Sequence, residues 1–236
     1  MTRPAGLADQ KLIRAALELI PETGFSGLKL RRVADRAGVN LGMFHYHFKD
    51  KDDFLKRVAA EFYEVFYTRF SLGIATSSNP LAQLRKALTT VGRFARDHRK
   101  LLLALGRDIQ DQHAFTVRLI QDYVNRHASV IVGLVMKCQA AGLIADYPVP
   151  TVISFLMGAL AAPSLLMALA EKARLSQPYE TLKKSVAPYL LSEAAVEQRL
   201  ELALRALEPE RPGREPEKMP PAPRRGGGAK PTRRHP

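Results

Sequence analysis

Cations stand at Lys29, Arg31, Arg32, Lys49 and Lys51, on either side of a short segment, Leu41-Gly-Met-Phe-His-Tyr-His-Phe48. Side chains of this kind, fixed on outward helix faces or at a helix start, neutralise phosphate oxygens or donate to the base edges of a duplex. Other chemistries find no support. The sequence has no glycine-rich phosphate loop after a strand, no paired-cysteine motif, no His-Glu-x-x-His and no Gly-x-Ser-x-Gly, so neither catalysis nor a cofactor is expected. His45 and His47 are two apart, which on a helix turns them about 200° from each other and prevents them from sharing a metal ion. Asp108, Asp111, Gln112 and His113 could hold a metal or ligand, but read more simply as an exposed loop between helices. Cys138, the only cysteine, excludes an intramolecular disulfide and reads as a small apolar core residue.

The elements that must position the cations are helical. No long apolar–polar alternation marks a strand, aromatics make up 7% of the chain and tryptophan is absent, so the fold class is all-α. A first helix is expected after a cap at Asp9, with Leu12, Ile13, Ala16, Leu17 and Ile20 inward, ended or kinked by Pro21 and followed by a turn at Gly24. A second is expected over about 28–37, closed by Gly38, and a third over 41–48 behind an Asn40 cap, with Phe44 and Phe48 one turn apart. Two short helices around a glycine turn make a helix-turn-helix. A long fourth helix follows a cap at Asp50 and presents Phe54, Leu55, Val58, Ala59, Phe62, Val65 and Phe66. Amphipathic helices then follow to Leu207: one after an Asn79 cap and Pro80, others over about 101–109 and 115–141, an apolar helix from Tyr147, and a last one from a cap at Ser192 to Leu207. Residues 176–191 are expected to hold a helical turn or two, interrupted by Pro188.

Ile13 to Phe25, Leu30-Arg-Arg-Val-Ala-Asp-Arg-Ala-Gly-Val39 and Phe44-His-Tyr-His-Phe-Lys-Asp-Lys51 together resemble the TetR family of bacterial transcriptional regulators. The motif spans about residues 10–58; beyond it the resemblance is only helical character and length. It implies that Arg31, Leu41, Gly42 and Met43 face base edges, and that Lys29, His45, Tyr46 and Lys51 face phosphates or the groove wall, with Lys49 beside them. Leu41 and Met43 stand where the family often has a polar residue, and His45 where it often has tyrosine. Apolar residues there can touch thymine methyl groups but cannot donate to guanine, so readout is expected to lean on Arg31 and Tyr46. The resemblance further implies a ligand-responsive regulator, more often a repressor, binding a palindromic operator on double-stranded DNA as a homodimer.

Three parts follow: a helix-turn-helix DNA-binding domain over 1–52, a larger helical ligand-binding and dimerisation domain over 53–207, and a basic Pro/Gly/Arg-rich tail over 208–236, too poor in apolar residues to fold alone. The effector, a small molecule whose identity the sequence leaves open, is expected against Phe94, Leu105, Phe115, Tyr123, Phe155 and Met157. Dimerisation is expected along the helices at about 150–172 and 192–207, through Gly158, Ala161, Ala162, Leu200 and Leu204, the small residues allowing close approach. The net charge of +13 suits a polyanionic partner. Two alternatives remain: a membrane-associated basic helical protein, supported by the uncharged stretch 147–170, and a nonspecific nucleic-acid-binding protein that uses its tail. Pro148, Pro150 and Pro163 and the Ala-rich middle of that stretch argue for a buried helix, and the charges within the first twenty residues argue against a signal peptide, so no membrane association and a cytoplasmic location are expected.

Overall fold

The computed structural model describes residues 6–173 and 176–209, and the basic tail lies outside them but for its first two residues. The described residues form ten helices: α1 (Leu7–Thr23), α2 (Leu30–Ala37), α3 (Leu41–His47), α4 (Lys51–Ala75), α5 (Pro80–Asp97), α6 (Arg99–Gln110), α7 (Ala114–Ala140), α8 (Val149–Lys172), α9 (Tyr179–Leu191) and α10 (Glu193–Ala206). The caps expected of Asn40, Asp50, Asn79 and Ser192 are present, each side chain accepting from a backbone N–H in the first turn of α3, α4, α5 and α10. Gly38 closes α2 in the left-handed conformation.

Several expected details are corrected. Asp9 does not cap α1, which starts two residues earlier behind Gly6; Asp9 is buried in the first turn. Pro21 does not end α1, because it falls in the last turn, where the Gly24 N–H reaches the Ile20 carbonyl at 2.8 Å and the Thr23 hydroxyl donates to the Leu19 carbonyl at 3.2 Å. Pro188 likewise does not interrupt α9, which runs continuously from Tyr179 to Leu191. On α4, Val65 is exposed and Tyr63 is buried in its place.

Two cores result. The first gathers the inner faces of α1, α2 and α3 around Phe44, Phe48 and Phe54, and takes in Leu55, Val58 and Ala59 from the first turns of α4. Phe48 and Phe54 meet edge-on with centroids 4.8 Å apart, and Phe44 and Phe54 at 5.2 Å, so α3 stands on an aromatic base. The second is built by α4, α5, α7, α8 and α10. A side chain at Gly92 would place its Cβ 2.8 Å from Val196 Cγ1, so α5 and α10 approach closely. Cys138 lies in this second core, where burial pushes its thiol pKa up.

The two cores are joined at the α6–α7 corner. Asp108, near the end of α6, is 2% exposed and is not the loop residue expected. Its carboxylate accepts from Phe25 N (2.8 Å), Ser26 N (3.3 Å), Ser26 Oγ (2.5 Å) and Thr116 Oγ1 (3.0 Å). Gly24 has φ +71°, and an added Cβ would fall 2.4 Å from Asp108 Oδ1, so only glycine lets the carboxylate come this close. Beside it, Phe115 packs edge-on against Phe25 at 5.3 Å, and Arg107 donates to the Glu22 carbonyl at 3.2 Å.

Removing this acceptor strands the buried Phe25 N–H and the Thr116 hydroxyl. Asp108→Ala is therefore expected to destabilise the protein by about 2–4 kcal/mol, and Asp108→Asn, which keeps one carbonyl acceptor, by less. Urea unfolding monitored by circular dichroism measures both.

Candidate nucleic-acid interface and ligand cavity

α3 projects from the aromatic base with Leu41, Gly42, Met43, His45 and Tyr46 exposed. Its orientation is set at both ends. Asn40 Oδ1 accepts from Gly42 N at 2.8 Å, and at the other end the half-buried His47 Nδ1 faces Oδ1 of the buried Asp9 of α1. α2 is braced on α1 by Arg32–Glu22 (3.0 Å) and Arg36–Glu18 (3.5 Å). Arg31 points outward beside them and forms no ion pair among the described residues, as do Lys29 and Lys49; Lys51 is partly buried at the start of α4. The four cations thus flank α3 along the chain, at the start of α2 and between α3 and the first turn of α4, and the exposed ones can meet a polyanion. Arg32 and Arg36, equally basic in sequence, are engaged within the domain.

Behind this domain lies a cavity of about 690 Å³. Its walls are Phe62, Tyr63 and Phe66 of α4, Phe94 of α5, Leu101 and Leu105 of α6, and Leu119 and Tyr123 of α7, with Leu17, Ile20 and Pro21 of α1 and Phe25 closing one side. The size and apolar lining suit a small organic molecule. Two imidazoles reach it. His98 packs edge-on against Phe62 (4.8 Å) and lies 4.7 Å from Phe94, and His127 lies 3.2 Å from Tyr63 Oη through Nδ1. Burial lowers the pKa of both; at His98 the Arg69 charge lowers it further against the opposing Asp97, and at His127 a hydrogen bond with the Tyr123 backbone opposes the burial. Burial also pushes the Tyr63 pKa up to about 12. The two imidazoles and the Tyr63 phenol therefore offer the cavity neutral donors and acceptors near pH 7, while the charged groups at its edge are paired, Arg99 and Lys100 with Glu171 and Asp97 with Arg96.

Residues 12–58 match the family described as bacterial regulatory proteins, tetR family. The N-terminal helices are thus similar to those of TetR-family regulators. Over 83 residues it is 28% identical to the transcriptional repressor KstR2 of Mycolicibacterium smegmatis, covering 35% of this chain and 40% of that protein. Over 62 residues it is 37% identical to the class C tetracycline repressor protein of Escherichia coli, covering 26% and 28% of the two chains. The matched stretches thus span less than half the length of these relatives. The fold likeness extends further. The ketosteroid regulator KstR2 of Mycobacterium tuberculosis superimposes with a TM-score of 0.63 at 17% identity, covering 86% of this chain and 95% of that one. FadR of Bacillus subtilis, solved with stearoyl-CoA, gives 0.57 at 18% identity, with 78% and 98% covered.

Of the expected interface residues, Lys29, Arg31, Leu41, Gly42, Met43, His45, Tyr46 and Lys49 are exposed and Lys51 is half-buried, all between the start of α2 and the first turn of α4. The expected effector residues divide: Phe94, Leu105 and Tyr123 line the cavity, whereas Phe115 is packed against Phe25 in the N-terminal core, Phe155 is 43% exposed on the outer face of α8, and Met157 does not line the cavity. The expected dimer residues divide as well. Gly158 and Ala162 are exposed, but Ala161 turns to the cavity, and Leu200 and Leu204 are buried in the subunit's own core, because α10 packs this face on α5 and α8. Asp108, Asp9, His98 and His127 were not anticipated in these roles. Among the described residues no group of three or more His, Cys, Asp and Glu side chains is placed to hold a metal ion.

The two imidazoles set a pH dependence. The unfolded chain protonates its histidines near pH 6.5, while the folded protein resists until a lower pH. Stability attributable to His98 and His127 is therefore full above about pH 6.5, and is lost as pH falls below that value and through the lower folded pKa. Urea midpoints compared at about pH 7.5 and 5.5 should fall less in His127→Gln than in the parent protein; parallel losses would place the dependence elsewhere.

Proposed function

We propose that this protein is a ligand-responsive repressor that binds a palindromic operator as a homodimer and releases it when a largely apolar effector fills the cavity. The observation that carries this reading is the dual use of α6. Its Leu101 and Leu105 form a wall of the cavity, and its Asp108 holds the loop that joins α1 to α2. An occupant that displaces α6 must move or release the DNA-binding domain, so the two sites are coupled through one rigid element. The similarity to FadR, solved with stearoyl-CoA, and to a ketosteroid regulator supports an apolar effector.

In DNA, α3 would enter the major groove with Arg31 at a base edge and Lys29, Lys49 and Lys51 on flanking phosphates. Arg31→Ala is expected to relax preference at particular base pairs by about 1–3 kcal/mol each, while Lys51→Ala weakens cognate and scrambled duplexes alike. Selection of bound duplexes from a random pool, followed by titration of each variant, measures this. Equal losses for Arg31→Ala on both duplexes would assign that arginine to the backbone.

The dimer reading rests on α8. By length and composition this helix could cross a membrane, with a mean hydropathy of 2.1 in its most apolar window, yet Val152, Leu156, Leu160 and Met167 are buried in the subunit. Its remaining apolar stripe, Phe155, Gly158, Ala162, Leu166 and Leu169, is exposed along the helix, and Leu202 of α10 is exposed as well. A second copy of the chain is the proposed cover for this stripe. A side chain at Gly158 meets nothing within 4 Å in the subunit. Gly158→Glu should therefore fold, sediment as a monomer and bind the operator weakly; a variant that remains dimeric would move the interface elsewhere.

A further inference from the structure

The cavity does not end at its aromatic wall. A second space of about 690 Å³ runs outward between α4 and α5, and the two share Leu17, Phe62, Phe66, Phe94, Asp97 and His98 as lining residues. The outer space has a different chemistry. It is lined by Arg69, Lys86 and Arg93 together with Glu61, Thr89 and Thr90. Arg93 is already met by Glu193 and by Glu197 (3.2 Å), and Asp97 by Arg96 (2.8 Å). Lys86 bonds only the neutral Thr76 hydroxyl, and Arg69 has no ion pair among the described residues. Two uncompensated cations therefore face Glu61 alone across an exposed groove whose inner end opens on an apolar chamber.

We propose that the chamber and the groove together receive one amphiphile, its apolar tail in the cavity and an anionic head, a carboxylate or a phosphate, against Arg69 and Lys86. The proposal rests on the cavity being the effector site and adds the chemistry of the effector. A purely apolar ligand leaves the groove unused, and an anion lodged within the cavity would lie among phenyl rings and two neutral imidazoles, the cavity's own cations Arg99 and Lys100 being already met by Glu171 at 2.8 and 3.9 Å. His98 stands at the boundary, packed on Phe62 and Phe94 with the Arg69 charge nearby. It is placed to hydrogen-bond the polar atom that joins tail to head, such as the carbonyl of an ester or thioester.

The test uses the full chain and three probes that share one tail: decanol, decanoate and decanoyl-CoA, each below its aggregation concentration, titrated by calorimetry at low salt. At least one of the two anionic probes is expected to bind tenfold or more tightly than decanol. The double variant Arg69→Glu, Lys86→Glu should abolish that advantage while leaving decanol affinity and the melting temperature unchanged, both residues being exposed. A preference for decanoate identifies a carboxylate head, and a preference for decanoyl-CoA a phosphate-bearing one. If decanol binds as tightly as both anions, or the advantage survives in the double variant, the groove has no role in recognition and the proposal falls while the cavity reading stands. If none of the three binds, lengthening the tail decides the cavity reading: each added CH₂ should raise affinity about fourfold where the cavity receives it, and a series with no rise overturns both.

Discussion

A single buried carboxylate decides how this molecule is assembled. Asp108 gathers two backbone N–H groups and two hydroxyls contributed by the α1–α2 loop and by α7. Taking a charge out of water is costly, and this one is offset only by that full set of donors. The geometry is therefore close to all-or-none: the N-terminal core either docks on the α6–α7 corner with each bond made, or parts from it and lets water in. Contacts with two alternatives of this kind can switch, whereas a greasy interface of the same area would slide. Phe115 against Phe25 adds apolar burial without adding direction.

The cavity follows from the same docking. Leu17, Ile20 and Pro21 belong to the first helix, yet they close a chamber whose other walls come largely from α4 to α7, with Ala161 of α8. Had α1 been a self-contained element, an occupant would touch only the C-terminal helices. As it is, an occupant contacts the helix that carries Asp9, and Asp9 meets His47 at the end of α3. Chamber, α1 and α3 are in direct sequence of contact, and no long relay needs to be invoked.

Much of this was legible in the residues. The period of apolar positions located most helices, and short polar residues before apolar runs located four of their caps, because both signals are local. The helix-turn-helix was legible for the same reason: its cations, its glycine turn and its aromatic pair lie within about forty residues of one another. What failed was long-range. Asp108 looks like loop in its neighbourhood, since Asp111, Gln112 and His113 follow it, and only the arrival of residues more than eighty positions earlier in the chain buries it. Leu200 and Leu204 carry a periodicity that shows one face is covered without showing by which partner. Phe62 and Phe66 could be placed inward, but inward toward a chamber and inward toward a packed core have the same pattern. Prolines 21 and 188 misled because a missing donor matters less near a helix end, where carbonyls have other partners, than in the middle.

The contact between Gly24 and Asp108 also constrains how this sequence can change over time. A methyl group at position 24 would occupy the space of the carboxylate, and the backbone there already lies in a region that only glycine enters freely. Neither position can drift alone: a side chain at 24 must wait for a smaller residue at 108, and losing the acid at 108 removes the steric reason for glycine while leaving the torsional one. The two sites, 84 positions apart, thus form one heritable unit, so a substitution tolerated at either in a related chain says little about its tolerance here unless the other is read with it.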